Sequence, residues 1–146
     1  AEGATDLDAL AASLVADYAD AGQPVTLAGA CEKTLVTRPR TLRRLLGNLV
    51  DNALKFAGSA ELACTADGDS LVITVSDRGP GIPEEELEKV FEPFHRLEAS
   101  RNRETGGTGR GLAIARQLEQ ALGASLTLHN RPGGGLEARL VLPGGR

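Results

Sequence analysis

The stretch LRRLLGNLVDNALKFAGSAELACTADGDSLVITVSD, Leu42–Asp77, changes its hydrophobic period midway, and that change decides the fold. Leu42, Leu45, Leu46, Leu49 and Ala53 recur at helical spacing behind Pro39, whose fixed φ suits a first helical turn. From Ala60 the pattern becomes alternation: AELACTA and SLVITVSD flank Asp67-Gly68, a strong β-hairpin signal. A helix leading into two antiparallel strands is therefore expected. One feature of the helix is not explained by packing. Asn48, Asn52 and Lys55 are spaced by four and three residues, so their side chains form one polar stripe on a leucine-rich rod.

The rest of the chain extends this pattern in both directions. Leu7, Leu10, Leu14, Val15 and Tyr18 predict a first helix from Asp6 to the stop at Gly22, followed by short strands in PVTLAGA (24–30) and KTLV (33–36). After RGPGIP, the run EEELEKVFEPF (84–94) predicts a short acidic helix led by Pro83. Residues 95–108 are poor in apolar side chains and end in a glycine pair, the composition of a mobile surface loop and here read as a lid. Apolar residues return at helical spacing from Gly109 to Leu122, Gly123 ends that helix, and ASLTLHN and LEARLVLP form a last hairpin around RPGGG. Three or four helices among antiparallel strand pairs imply an α/β two-layer sandwich: a mixed, mostly antiparallel sheet covered by helices on one face, in one domain spanning residues 1–146.

Composition narrows the function. The 146 residues are 41% hydrophobic and 25% charged, as expected of a globular chain able to bury a core without disulfides or a structural metal. A net charge of -4 with 3% aromatics argues against a sequence-independent nucleic-acid binder, which needs a basic footprint and stacking rings. Cys31 and Cys64 lie far apart in sequence with no partner at ligand spacing, so they read as two buried, reduced thiols rather than a zinc or redox pair. No apolar run approaches the ~18 residues needed to span a bilayer, which suggests a cytoplasmic domain. The chain contains no methionine, even at position 1, and so is expected to be a piece of a longer protein.

Three glycine clusters, DRGPGIP, GGTGRGL and PGGG, lie at element junctions, where glycine permits positive φ and close backbone approach to a ligand. Each alone is ordinarily just a turn. Their order is more informative. NLVDNALKFA (48–57), DRGPGIP (77–83), FEPFHR (91–96), GGTGRGLAIARQL (106–118) and GGGLEARLVLP (133–143), at these spacings, resemble the ATP-binding catalytic domain of bacterial sensor histidine kinases. That domain belongs to the superfamily shared with gyrase, the large heat-shock chaperone and the mismatch-repair ATPase. The resemblance runs from about Leu7 to Pro143.

The resemblance implies roles for particular residues. The first box matches Asn48, Asn52, Lys55 and Phe56, with Asn52 coordinating Mg²⁺ on the ATP phosphates and Lys55 adding positive charge. Asp77 would accept a hydrogen bond from the adenine amino group, with Gly79, Gly81 and Ile82 close to the base. Phe91 and Phe94 would anchor the lid, and Arg96, with Arg101 or Arg103, would reach the γ-phosphate. The amides of Gly107, Thr108, Gly109, Arg110, Gly111 and Leu112 would open a helix N-terminus onto the phosphates. Arg110 departs from the family pattern, in which leucine or another uncharged residue is common; contact with ATP and exposure to solvent both remain open. Asn48 stands where hydrolysing members of the superfamily carry a catalytic glutamate, and an amide cannot serve as that base.

Other phosphate signatures are missing: there is no Walker A loop, no dinucleotide fingerprint, and no protein-kinase H-R-D or D-F-G. His95 and His129 do not precede an acidic residue, so neither reads as a phosphoacceptor. The resemblance therefore implies that the accepting histidine lies on a separate dimerisation domain, in a full-length homodimer anchored at the inner membrane and signalling to a response regulator. Two alternatives stay open on the sequence: a stand-alone serine kinase of the anti-sigma-factor type, and a module that senses ATP without transferring phosphate.

Overall fold

The computed structural model describes residues 3–91 and 111–143. Five strands form one sheet in the order β2-β4-β5-β7-β6: β2 (Val25–Gly29), β4 (Ala60–Asp67), β5 (Ser70–Ser76), β6 (Ser125–Asn130) and β7 (Leu136–Pro143). The β2–β4 pairing is parallel and the others are antiparallel, so the sheet is mixed, as expected. The β4–β5 hairpin turns where Asp67-Gly68 predicts it, with Gly68 at φ 62.

The strands alternate in burial and the register keeps one face apolar. Leu71, Ile73 and Val75 of β5 stand opposite Leu142, Leu140 and Ala138 of β7, and all six are buried. The opposite face carries Glu61, Thr74, Arg139 and His129, and there Arg139 pairs with Glu137 at 2.9 Å. His129 is half-buried beside Thr127 on this face, whereas His95 lies outside the described residues.

Helices α1 (Leu7–Asp20), α2 (Pro39–Ala57) and α3 (Gly111–Leu122) cover the apolar face. Each boundary has a local cause. Asp6 caps α1 by accepting from the Ala9 amide at 3.1 Å. Helix α2 opens on Pro39 and closes on Gly58 in the left-handed region, φ 80, whose amide returns to the Leu54 carbonyl. Leu42, Leu45, Leu46, Leu49, Val50 and Ala53 bury its inner face, and it packs beside α3. Across α1 and α2, the Tyr18 hydroxyl donates to the Asp51 carboxylate at 2.6 Å and lies 3.2 Å from the Gly47 carbonyl. Burial, with that hydrogen bond, pushes the Tyr18 phenol above its ordinary range.

Two expectations need correction. Residues Gly3–Asp6 form a strand, β1, that pairs antiparallel with β3 (Thr34–Thr37) in a separate two-stranded sheet. The sequence GATD has almost no intrinsic strand preference, and only its pairing with β3 makes it one. The acidic helix also does not form over its described part. Glu84–Glu86 and Lys89–Phe91 are separate 3₁₀ turns, closed by bonds such as Glu86 N–H to the Pro83 carbonyl at 2.8 Å. Three adjacent glutamates and only two buried residues, Val90 and Phe91, do not offset the cost of nucleating an α-helix.

Candidate functional site

Asp77 follows β5, the middle strand of the sheet, and is buried although charged. Its Oδ1 accepts from the Gly79 amide at 2.9 Å and the Leu136 amide at 3.1 Å. Its own amide donates to the Leu136 carbonyl at 2.9 Å, and its carbonyl accepts from Arg131 Nη1 at 2.7 Å. Among the described residues Oδ2 has no hydrogen bond, so the carboxylate is held by one oxygen and offers the other.

The loop after Asp77 is fixed from two sides. Asn130, at the end of β6, reads the backbone of Ile82 in both senses: Oδ1 accepts from its amide at 2.9 Å, and Nδ2 donates to its carbonyl at 2.7 Å. Gly81 adopts φ 77, and a Cβ there would come within 2.6 Å of Asn130 Oδ1. Gly79 packs on the last turn of α2, where an added Cβ would come within 2.8 Å of the Ala57 Cβ. That contact joins the Asp77 loop to the turn carrying Lys55 and Phe56. Gly135, just before β7 at φ 104, lies so close to Asp77 that a Cβ would overlap the Asp77 carbonyl oxygen.

The polar stripe on α2 runs from buried to open. Asn48 is half-buried, and its Nδ2 is buried with no hydrogen-bond partner among the described residues. Asn52 and Phe56 are half-buried and Lys55 is exposed. An orphaned buried donor costs about 1–3 kcal/mol, and such a group asks for an acceptor that the described residues do not supply.

Gly111 is the first residue of α3, and Leu112 is buried in its first turn. The α3 side is braced by Arg116, whose guanidinium stacks 3.8 Å from the Phe91 ring centroid and pairs with Glu88 and Glu119 at 3.0 Å each. Glu119 in turn accepts from the Leu126 amide at 2.7 Å, tying α3 to β6. Phe91, expected from the sequence to anchor the lid, is buried. Arg96, Gly107, Thr108, Gly109 and Arg110, with Phe94, Arg101, Arg103 and the rest of the expected lid, lie outside the described residues.

The structure thus joins Asp77, Gly79, Gly81 and Ile82 to the end of α2, and it adds Asn130, Arg131 and Gly135, which sequence reasoning missed. The only available signal for them was the PGGG cluster, which reads as a turn.

Residues 37–146 of the chain match the family model for Histidine kinase-, DNA gyrase B-, and HSP90-like ATPase, and the chain belongs to that family. Within it, the chain is 38% identical over 138 residues to the sensor histidine kinase GtrS of Pseudomonas aeruginosa, covering 94% of this chain and 28% of that protein. It is 39% identical over 110 residues to the sensor histidine kinase CpxA of Escherichia coli, covering 75% of this chain and 24% of CpxA. The chain spans about a quarter of the length of these curated relatives. Among solved structures, the ATP binding domain of PrrB from Mycobacterium tuberculosis superimposes with a TM-score of 0.80 at 28% identity, covering 99% of this chain and 98% of that one. Full-length ShkA in complex with AMPPNP gives a TM-score of 0.82 at 25% identity, covering 99% of this chain and 31% of that one. No helix among the described residues is long and apolar enough to cross a membrane.

Proposed function

We propose that this chain is the ATP-binding catalytic domain of a sensor histidine kinase, which binds Mg-ATP and delivers the γ-phosphoryl group to a histidine on a separate dimerisation domain. The observation that carries the reading is the half-committed carboxylate of Asp77, with Oδ1 tied to two backbone amides and Oδ2 left to accept. An acceptor fixed in a buried loop suits the exocyclic amine of adenine and rejects guanine, which presents a carbonyl there. Kinship to named sensor kinases and likeness to a nucleotide-bound ShkA support the same assignment.

The α2 stripe suits the phosphate end. The unpartnered Nδ2 of Asn48 supplies a donor for a phosphate oxygen or for water held near it. The neutral amide oxygen of Asn52 suits Mg²⁺, which takes few protein ligands, and Lys55, at the exposed end, contributes positive charge to the phosphates. Mg²⁺ bound there would neutralise charge on the transferring group. Phe56, Gly79, Gly81, Ile82 and Leu112 would shape the pocket, with Arg96 and residues 107–111 completing it. Because Asn48 has no proton-accepting charge, the domain alone keeps ATP intact and relies on positioning of the histidine nucleophile. The partners are then its own dimerisation hairpin and, downstream, a response regulator.

The test mixes this domain with the separately made dimerisation hairpin of the same protein and follows labelled phosphate from ATP. Phosphohistidine on the hairpin, with slow phosphate release from the domain alone, is expected; Asn48→Glu should raise that release. Fast release without the hairpin, or no labelled histidine with it, overturns the reading.

A further inference from the structure

Away from the Asp77 loop, the fold gathers two thiols and a carboxylate that the sequence keeps far apart. Asp8 of α1, Cys31 after β2 and Cys64 of β4 each place one ligand atom within 4.8 Å of the others. Separate buried thiols, the expectation from sequence, are therefore not what the chain builds: Cys64 is buried, but Cys31 is half-exposed and adjacent to it.

Asp8 organises the cluster. Its Oδ1 accepts from the Cys31 amide at 2.9 Å and lies 3.6 Å from Cys31 Sγ, while Oδ2 accepts from the Glu32 amide at 2.6 Å. Glu32 takes a left-handed backbone, φ 56, uncommon for a glutamate. The loop is thereby held with Cys31 packed against the core beside Cys64. Among the described residues no lysine or arginine pairs with Asp8.

We propose that Asp8, Cys31 and Cys64 bind a thiophilic divalent cation of the zinc class. The donor set is two soft sulfurs and one oxygen, supplied by α1, the loop after β2, and β4. Around a tetrahedral ion with bonds of about 2.3 Å, sulfur ligands sit roughly 3.8 Å apart, which is within the observed spread of the three atoms. Binding exchanges two thiol protons, released to solvent, for one divalent ion, so the net charge of the cluster does not change. The half-exposed Cys31 side leaves a fourth position for water.

The test is a titration of the reduced, chelator-stripped domain with Co²⁺ as a spectroscopic probe, followed by Zn²⁺ as competitor. One Co²⁺ per chain should bind with a sulfur-to-metal charge-transfer band that Zn²⁺ abolishes. Cys31→Ser should lose the band and weaken binding by about 100-fold or more, and Asp8→Asn should weaken it by about tenfold. Since Cys64→Ser acts in the core, its fold is checked by circular dichroism, and Zn²⁺ protection of both thiols from alkylation in the wild type gives an independent readout. Absence of the band, its persistence in Cys31→Ser, or conversion of the pair to a disulfide by oxidised glutathione without any metal uptake overturns the proposal.

Discussion

Asp77 sits in a loop whose polar groups are nearly all engaged by protein, whereas Asn48, one helix away, ends in a buried donor that nothing in the described chain satisfies. The first is held by residues distant in sequence: Leu136, Arg131 and Gly135 around Asp77, and Asn130 around Ile82. The second is held by helical periodicity alone. Asp77 is immobilised by the protein itself, whereas Asn48 keeps a donor that no described residue meets.

The largest effect should come from striking the rigid region. Gly135→Ala places a methyl on the Asp77 carbonyl at a φ that suits glycine, and should cost about 3 kcal/mol or more of stability in urea unfolding. A loss below about 1 kcal/mol would mean the contact relaxes cheaply and the loop is softer than described. Next in size is Asp77→Asn. Asn retains an acceptor for the two amides but turns Oδ2 into a donor, so ATP affinity by calorimetry should fall by ~1.5–3 kcal/mol, tenfold or more, with little loss of stability. Equal affinity would remove Asp77 from recognition.

The unsatisfied region predicts the opposite coupling. Asn48→Leu removes the orphaned donor and should raise nucleotide-free stability by about 1 kcal/mol while abolishing measurable ATP binding. A variant less stable than wild type would show that the amide is satisfied by water. The smallest effect concerns Tyr18, which bonds to α2 at Gly47 and Asp51, beside the polar stripe rather than on it. Its folded pKa is raised, so its contribution to stability is present below the ordinary phenol value of about 10 and is lost as pH rises through the folded value. Tyr18→Phe should cost about 1 kcal/mol at neutral pH, make the alkaline decline in thermal melting shallower, and leave ATP binding unchanged.

This contrast also explains what the sequence discloses. The α2 stripe, the Asp67-Gly68 hairpin and the alternation in β5 and β7 are local periodicities, and the sandwich follows from them. Asp77, Gly79 and Gly81 stand out through an ordered set of boxes. Asn130 and Gly135 do not, because their roles exist only when β6 and β7 lie beside the loop after β5. The strand β1 and the gathering of Cys31 with Cys64 were hidden for the same reason: each depends on a pairing of segments separated by some 30 residues.

The pairing of β5 with β7 also bears on how the protein is made. β4 and β5 can close as a hairpin as soon as they leave the ribosome, yet the second edge of β5 waits for Leu136–Pro143, some 60 residues later. During that interval Leu71, Ile73 and Val75 form an open strand edge prone to pairing with other chains. Gly135 and Leu136, which lock Asp77, arrive with the same late strand. A chain released before that point would carry the Asp77 carboxylate without the Leu136 amide that holds it.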